Sequence, residues 1–312
     1  MDRFMQRLKQ FVMWGGRLVV GICFIWLTYL VFDLSYILAE VKQLFRNFWL
    51  VVSMTCFYLA AFIIRAKAWQ LYVGKQISLK VFIDGVLYSL FINHLLPIKA
   101  GDIVRTGHLA QSGKVAWKTA LQSVVVMRLL DLLILGLIAI IGILYLGLSL
   151  SYLFLTMVLI GGGLLLGLLL LKEKWRNMLL VHIRQIISIL FSAKGIIIFT
   201  LITVSWCLEA VVIFAVTTEF SLSLSYLQSL WVNSFTIAGQ VFHFSPGGIG
   251  TYESFMSLAL AAYQVPIKEA YTIAVITHGF KFIFSFAAGI YLILSVPISW
   301  TTIKHWVKRK ED

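Results

Sequence analysis

The chain has 312 residues, of which 61% are hydrophobic and only 12% charged, about half the charged share of a soluble domain. That balance excludes a soluble globular enzyme and predicts a polytopic all-α membrane protein. The 26 Lys and Arg outnumber the 13 Asp and Glu, for a net charge of +13, which suggests nucleic acid only until the cations are placed along the chain.

Six segments are long enough to cross a hydrocarbon core of about 30 Å, at about 20 residues each. They lie near residues 18–38, 48–64, 119–147, 150–171, 196–218 and 269–297. The second is short, at the lower limit for a span. The N-terminus lacks a small-residue cleavage site after its first apolar run and reads as retained. Cys23, Cys56 and Cys207 stand singly in apolar runs, without zinc or redox spacing, and read as small buried hydrophobes.

Two stretches interrupt this pattern. His243 to Glu253 reads His-Phe-Ser-Pro-Gly-Gly-Ile-Gly-Thr-Tyr-Glu. Pro246 removes a backbone donor, and each glycine costs about 1 kcal/mol in a helix interior, so the helix must break there. His94 to Gly101 repeats the pattern His-x-x-Pro-x-x-x-Gly. Broken backbone at bilayer depth is tolerated only where protein buries it or it lines a watery cavity. The expectation is two re-entrant hairpins, near residues 81–112 and 226–263. Sliding the first pattern onto the second lays the second span on the fifth and the third on the sixth, with the first and fourth pairing approximately. Each half then has an odd number of crossings, so the halves, about 1–148 and 149–300, form an inverted-topology repeat within a single integral membrane domain. In such repeats the broken helices point to the binding site.

Cation placement sets the orientation. With the N-terminus cytoplasmic, only Lys42, Arg46 and Lys268 fall outside, and Arg128 and Lys281 fall within spans. All other Lys and Arg, including Arg65 and Lys67 after the second span, then face the cytoplasm. The chain is therefore expected to be a multi-pass cell (plasma) membrane protein with both termini inside. Its basic charge anchors it to anionic inner-leaflet lipids, and no nucleic-acid partner is expected. Residues 172–194 mix Lys, Arg, Trp175 and His182 with apolar residues at helical spacing, which suits an interfacial amphipathic helix. An ordinary solvated connector is the alternative. Residues 301–312 form a basic cytoplasmic tail.

Ionisable residues at membrane depth are candidate functional groups, since each costs at least about 2.5 to 3.5 kcal/mol there unless paired or wetted. The principal candidates for substrate binding are Asp102, Arg105, Arg128, Asp131, Pro246, Gly247, Gly248, Gly250 and Glu253. Supporting candidates are Asp84, His94, Pro97, Gly101, Glu209, His243 and Lys281. Arg128 and Asp131 are three apart on one helix, and either neutralise each other or divide the work of binding and orienting an anion. Asp102 and Glu253 are also placed to cap helix N-termini. The glycines from Gly247 to Gly250 free backbone donors that can approach a phosphate closely; helix packing is the competing explanation. His94 and His243 lack a third ligand at suitable spacing, so no metal or cofactor is expected. His-Glu-x-x-His, Gly-x-Ser-x-Gly and Walker motifs are missing, which disfavours an enzyme, although membrane-embedded transferases have few local signatures.

At these residues the sequence resembles the membrane (flippase) domain of lysylphosphatidylglycerol synthases and the stand-alone proteins that share it. The resemblance rests on Leu95-Leu96-Pro97-Ile98-Lys99-Ala100-Gly101-Asp102-Ile103-Val104-Arg105, on Arg128-Leu129-Leu130-Asp131, and on Ser245-Pro246-Gly247-Gly248-Ile249-Gly250-Thr251-Tyr252-Glu253 running on to Val265-Pro266. It implies movement of an anionic or aminoacylated phospholipid, or a related lipid-linked headgroup, across the membrane. Met127 stands where that family usually carries an acid. With the sequence ending at Asp312, the soluble aminoacyl-transferase domain of the full synthases is expected to be absent, and lysyl transfer is not carried over. The two functional expectations are a phospholipid translocase and a non-transporting partner of a membrane enzyme that modifies lipids or glycans.

Overall fold

The computed structural model describes residues 32–74, 77–96, 100–145, 192–220, 224–240 and 245–299, with isolated positions beside them such as Trp306. Among the described residues the chain forms nine α-helices and no strand. They are α1 (Leu34–Arg46), α2 (Phe48–Val73), α3 (Leu79–Leu95), α4 (Gly101–Gln111), α5 (Trp117–Tyr145), α6 (Ala193–Glu219), α7 (Tyr226–Gly239), α8 (Thr251–Ala261) and α9 (Ile267–Ser295). Four of them, α2, α5, α6 and α9, are long and apolar enough to cross a membrane. They coincide with the second, third, fifth and sixth spans expected from sequence. The fourth span and most of the first and of the interfacial segment lie outside the described residues, as does most of the basic tail.

Local chemistry fixes where the helices begin and end. Asp33 caps α1 by accepting from the Tyr36 amide, so residues 34–38, expected to finish the first span, belong to a separate helix. Asn47 caps α2 through the Leu50 amide, and Gly74, at φ 68° in the left-handed region, stops it. The second span is therefore a 26-residue helix that runs through Arg65 and Lys67. Sequence reading placed both cations in a cytoplasmic connection because it ended the span at the first charge. Arg65 is instead buried, and its pairing keeps the helix apolar enough to continue.

Each interrupted stretch becomes two helices around a break. α3 ends at Leu95, and the extended backbone of Leu96 behind it (φ −109°, ψ 145°) suits the residue before a proline. α4 restarts at Gly101, whose amide donates to Asn93 Oδ1 at 2.9 Å. A Cβ on Gly101 would overlap the backbone carbonyl of Ser89, so this glycine allows the two arms to touch. In the second unit, a capping box of Ser225 and Gln228 starts α7. A short turn over Pro246–Gly248 separates it from α8, with Gly247, Gly248 and Gly250 all at positive φ.

The packing is reciprocal. α2 and α6 form the most extensive pair; α3 packs on α4 and α7 on α8; α5 lies against α7 while α9 lies against α3. One apolar core runs through all of these helices, and large apolar side chains on the outer sides of α5, α6 and α9 are exposed. Lys268 at the start of α9 reaches Asp33 at 2.9 Å, which ties α9 to the cap of α1.

Gly101→Ala tests the contact between the first pair of arms. Overpacking against fixed backbone costs about 1 to 3 kcal/mol. The expected result is a lower thermal unfolding midpoint in detergent, whereas Gly113→Ala, which meets no neighbour, carries only the strain of a positive φ.

Candidate functional site

Both interrupted pairs and the long helices enclose a cavity of about 280 Å³. Its wall takes Ser89, Asn93 and His94 from α3, Asp102 and Arg105 from α4, Arg128 and Asp131 from α5, Trp206 and Glu209 from α6, and His278 and Lys281 from α9. Tyr58 and Arg65 of α2, Gln240 after α7, Gly247 and Tyr252 complete the polar lining.

The charges divide into three groups. The deepest is a chain across five helices. Arg65 lies between two carboxylates, with Nη2 at 3.3 Å from Glu209 Oε2 and Nε at 3.7 Å from Asp131 Oδ1. The Trp206 indole donates to the same Asp131 oxygen at 3.1 Å, and its ring lies under the Arg65 guanidinium at 4.1 Å. Lys281 Nζ donates to Glu209 Oε1 at 3.0 Å and to Asn233 Oδ1 of α7 at 3.3 Å. Two cations and two carboxylates balance, and all four residues are buried.

The second group does not balance. Among the described residues, Asp102 is shared by Arg128 at 3.5 Å and Arg105 at 3.9 Å, so that one carboxylate faces two cations. Arg105 is buried against the Trp69 ring at 4.7 Å, and its Nε has no hydrogen-bond partner. The Arg128 side chain is 39% exposed, so its guanidinium is presented to the cavity and to whatever enters it. The third group surrounds the glycine turn. Glu253 Oε2 accepts from the Gly250 amide at 2.6 Å, and Glu253 Oε1 lies 2.7 Å from His278 Nδ1.

Of the residues singled out from sequence, Asp102, Arg105, Arg128, Asp131, Gly247, His94, Glu209 and Lys281 share this cavity. Gly101, Gly248, Gly250 and Glu253 shape the breaks behind its wall. Asp84 is buried on α3 without lining the cavity. Pro97 and His243 lie outside the described residues, and of Pro246 only the backbone is described. Arg128 and Asp131 are not each other's ion-pair partners: Arg128 pairs with Asp102, and Asp131 with Arg65. The glycine turn has already committed part of its donor set, since the Gly248 amide bonds the Ser245 carbonyl at 3.0 Å and Gly250 bonds Glu253. With that carboxylate at the start of α8, the helix N-terminus is already neutralised from within.

Sequence reasoning missed Arg65 and His278. For Arg65 the signal was the length of the second apolar run, which at the lower limit for a span left room for the helix to carry the charge inward. His278 lies three residues before Lys281 on the same helix, where the rule that selected Lys281 applies equally. Among the described residues, no three His, Cys, Asp or Glu side chains gather as a metal site.

The model of the lysylphosphatidylglycerol synthase TM region matches residues 14–289. The chain belongs to this family. No curated protein and no solved structure matches it. This lysylphosphatidylglycerol synthase family member is thus a membrane protein of a lipid-modifying, flippase-like family, and its polar cavity is built from both interrupted helix pairs.

The two arginine environments should respond differently to truncation. Removing one member of a buried charge network costs about 3 to 5 kcal/mol by stranding its partner. Arg65→Ala removes the ion-pair partner of buried Asp131 and should lower the unfolding midpoint sharply, whereas Arg128→Ala leaves Asp102 paired with Arg105 and should lower it less, in parallel melts of the purified protein.

Proposed function

We propose that the protein is a flippase-like translocase that binds the headgroup of a phospholipid or lipid-linked substrate, anionic or aminoacylated, in the cavity between its two interrupted helix pairs. The observation that carries this reading is the Asp102–Arg105–Arg128 group, two cations sharing one carboxylate at a cavity among helices whose outer sides expose large apolar side chains. A guanidinium binds phosphate through paired, charge-assisted hydrogen bonds. Arg128 is the ligand in contact with the headgroup, Arg105 supports it from below, and Asp102 orients both. The balanced network around Arg65 frames the cavity floor.

In this reading the two interrupted pairs are re-entrant hairpins of an inverted repeat. The reciprocal packing supports it, because α5 of the first half leans on the broken element of the second, and α9 of the second half leans on that of the first. Inverted repeats that rock about a fixed central site give alternating access. In this reading the protein resides in the plasma membrane with both termini cytoplasmic, an orientation that the cation distribution supports.

Reconstituted into vesicles carrying a trace of fluorescent phosphatidylglycerol, the protein should expose the inner-leaflet probe to an external quencher. Arg128→Ala should slow that exposure about 10- to 100-fold, the loss expected for a charge-assisted hydrogen bond worth about 1.5 to 3 kcal/mol. A non-transporting scaffold would give no protein-dependent exposure. The orientation has its own measurement. In a background lacking Cys23, Cys56 and Cys207, a cysteine at Lys114 should react with an impermeant thiol reagent only from the cytoplasm, and one at Ala262 only from outside.

A further inference from the structure

His278 is held between two acceptors. Its Nδ1 lies 2.7 Å from Glu253 Oε1 and its Nε2 lies 3.1 Å from the carbonyl oxygen of Gly247. A carbonyl oxygen only accepts, so Nε2 carries a hydrogen; Nδ1 and Oε1 then need one more hydrogen between them. The pair therefore holds two protons, either as imidazolium facing carboxylate or as neutral imidazole facing carboxylic acid. Both forms have zero net charge. With one proton fewer, the pair carries one negative charge, and lone pairs face each other at Nδ1···Oε1 or at Nε2···O=C.

We infer that the Glu253–His278 pair is a proton-binding site, and that its loading and unloading couple a proton to the lipid movement proposed above. The location supports coupling. Both side chains are buried, at 3% and 7% exposure, while His278 and Gly247 line the headgroup cavity. The bonds that depend on this proton are also those that hold the glycine turn: His278 grips Gly247 and Glu253 grips Gly250, with Gly247, Gly248 and Gly250 at φ 63°, 84° and 86°. Unloading the site in place sets two lone pairs against each other in a buried setting. The turn relieves that repulsion by moving, and the turn is part of the cavity wall.

Among the described residues, the titratable groups that face the pair come from α3, α6, α8 and α9. Tyr252 of α8 stacks on the His278 ring at 4.2 Å, and His94 of α3 lies 6.3 Å away, ring to ring. Lys281, on the same helix as His278, lies 5.2 Å from the Tyr252 ring and is neutralised by Glu209 of α6. From α7 comes the neutral Asn233, on Lys281. Loading transfers one proton from water on one side of the membrane into the gap between Nδ1 and Oε1. Unloading returns it to water on the other side, and no other covalent bond changes.

The inference rests on the transport reading for its output and on hydrogen-bond geometry for its chemistry, and the test separates them. The full chain is placed in vesicles containing trace fluorescent phosphatidylglycerol, with the membrane potential clamped by potassium and valinomycin, and a one-unit pH gradient is imposed. One proton coupled to one lipid shifts the steady-state leaflet ratio by up to about tenfold, the equivalent of one pH unit. His278→Gln should abolish that sensitivity to the gradient. A wild-type ratio indifferent to the gradient overturns the coupling. If no lipid moves under any condition, the transport reading fails instead, and ¹⁵N spectra of the histidine rings then decide the site. The resonance missing in His278→Gln should shift as pH is raised from 5 to 9 and should lose that shift in Glu253→Gln; a ring signal constant over this range overturns the proton site.

Discussion

The guanidinium of Arg65, held between Asp131 and Glu209, is the constraint on which the remaining structure depends. A lone charge at this depth would cost several kcal/mol, and carboxylates from two other helices offset that cost. Satisfying it draws in Trp206 as a donor to Asp131 and Lys281 as a second partner for Glu209, and Lys281 in turn engages Asn233. Five helices, α2, α5, α6, α7 and α9, are thereby fixed around one point. The apolar surfaces of these helices specify that they pack, and the polar chain specifies their register.

Because that inner network is neutral, the charge available to a ligand lies elsewhere. Asp102 cannot compensate both Arg105 and Arg128, and the more exposed of the two arginines carries the difference toward the cavity. Arg128 of α5, beside Asp102 and Arg105 of the first interrupted pair, thus contributes the charge. The second pair contributes a turn whose shape is set by hydrogen bonds to a carboxylate and an imidazole. Glycine is needed there for its backbone: a Cβ on Gly247 would enter the Phe282 ring, and the positive φ values exclude most other residues.

Much of this was legible in the sequence, and the remainder was hidden for physical reasons. Long apolar runs announced α2, α5, α6 and α9, and the proline and glycine signals announced both breaks. The partners of each charge could not be read. Spacing along one helix suggested Arg128 with Asp131, but partners from other helices won, because α4 brings Asp102 to Arg128 while α2 brings Arg65 to Asp131. Arg65 was misplaced because a cation after an apolar run resembles a cytoplasmic anchor until a distant carboxylate is known to meet it. The glycine stretch was legible as a break and as a stretch rich in free donors. That Glu253 takes the Gly250 donor is the capping role its position suggested; that it also meets His278 depends on how α8 packs on α9, which residue order alone does not specify.

The account stands on a cavity that faces each side of the membrane in turn. Leu132, an apolar residue of the cavity wall outside the charge networks, offers the most direct measurement. A cysteine placed there in the cysteine-free background is exposed to an impermeant thiol reagent from either side of sealed, uniformly oriented vesicles. Alternating access predicts reaction from both sides, slowed in each case when phosphatidylglycerol is included in the vesicles. Reaction from one side only, whatever lipid is present, would contradict it.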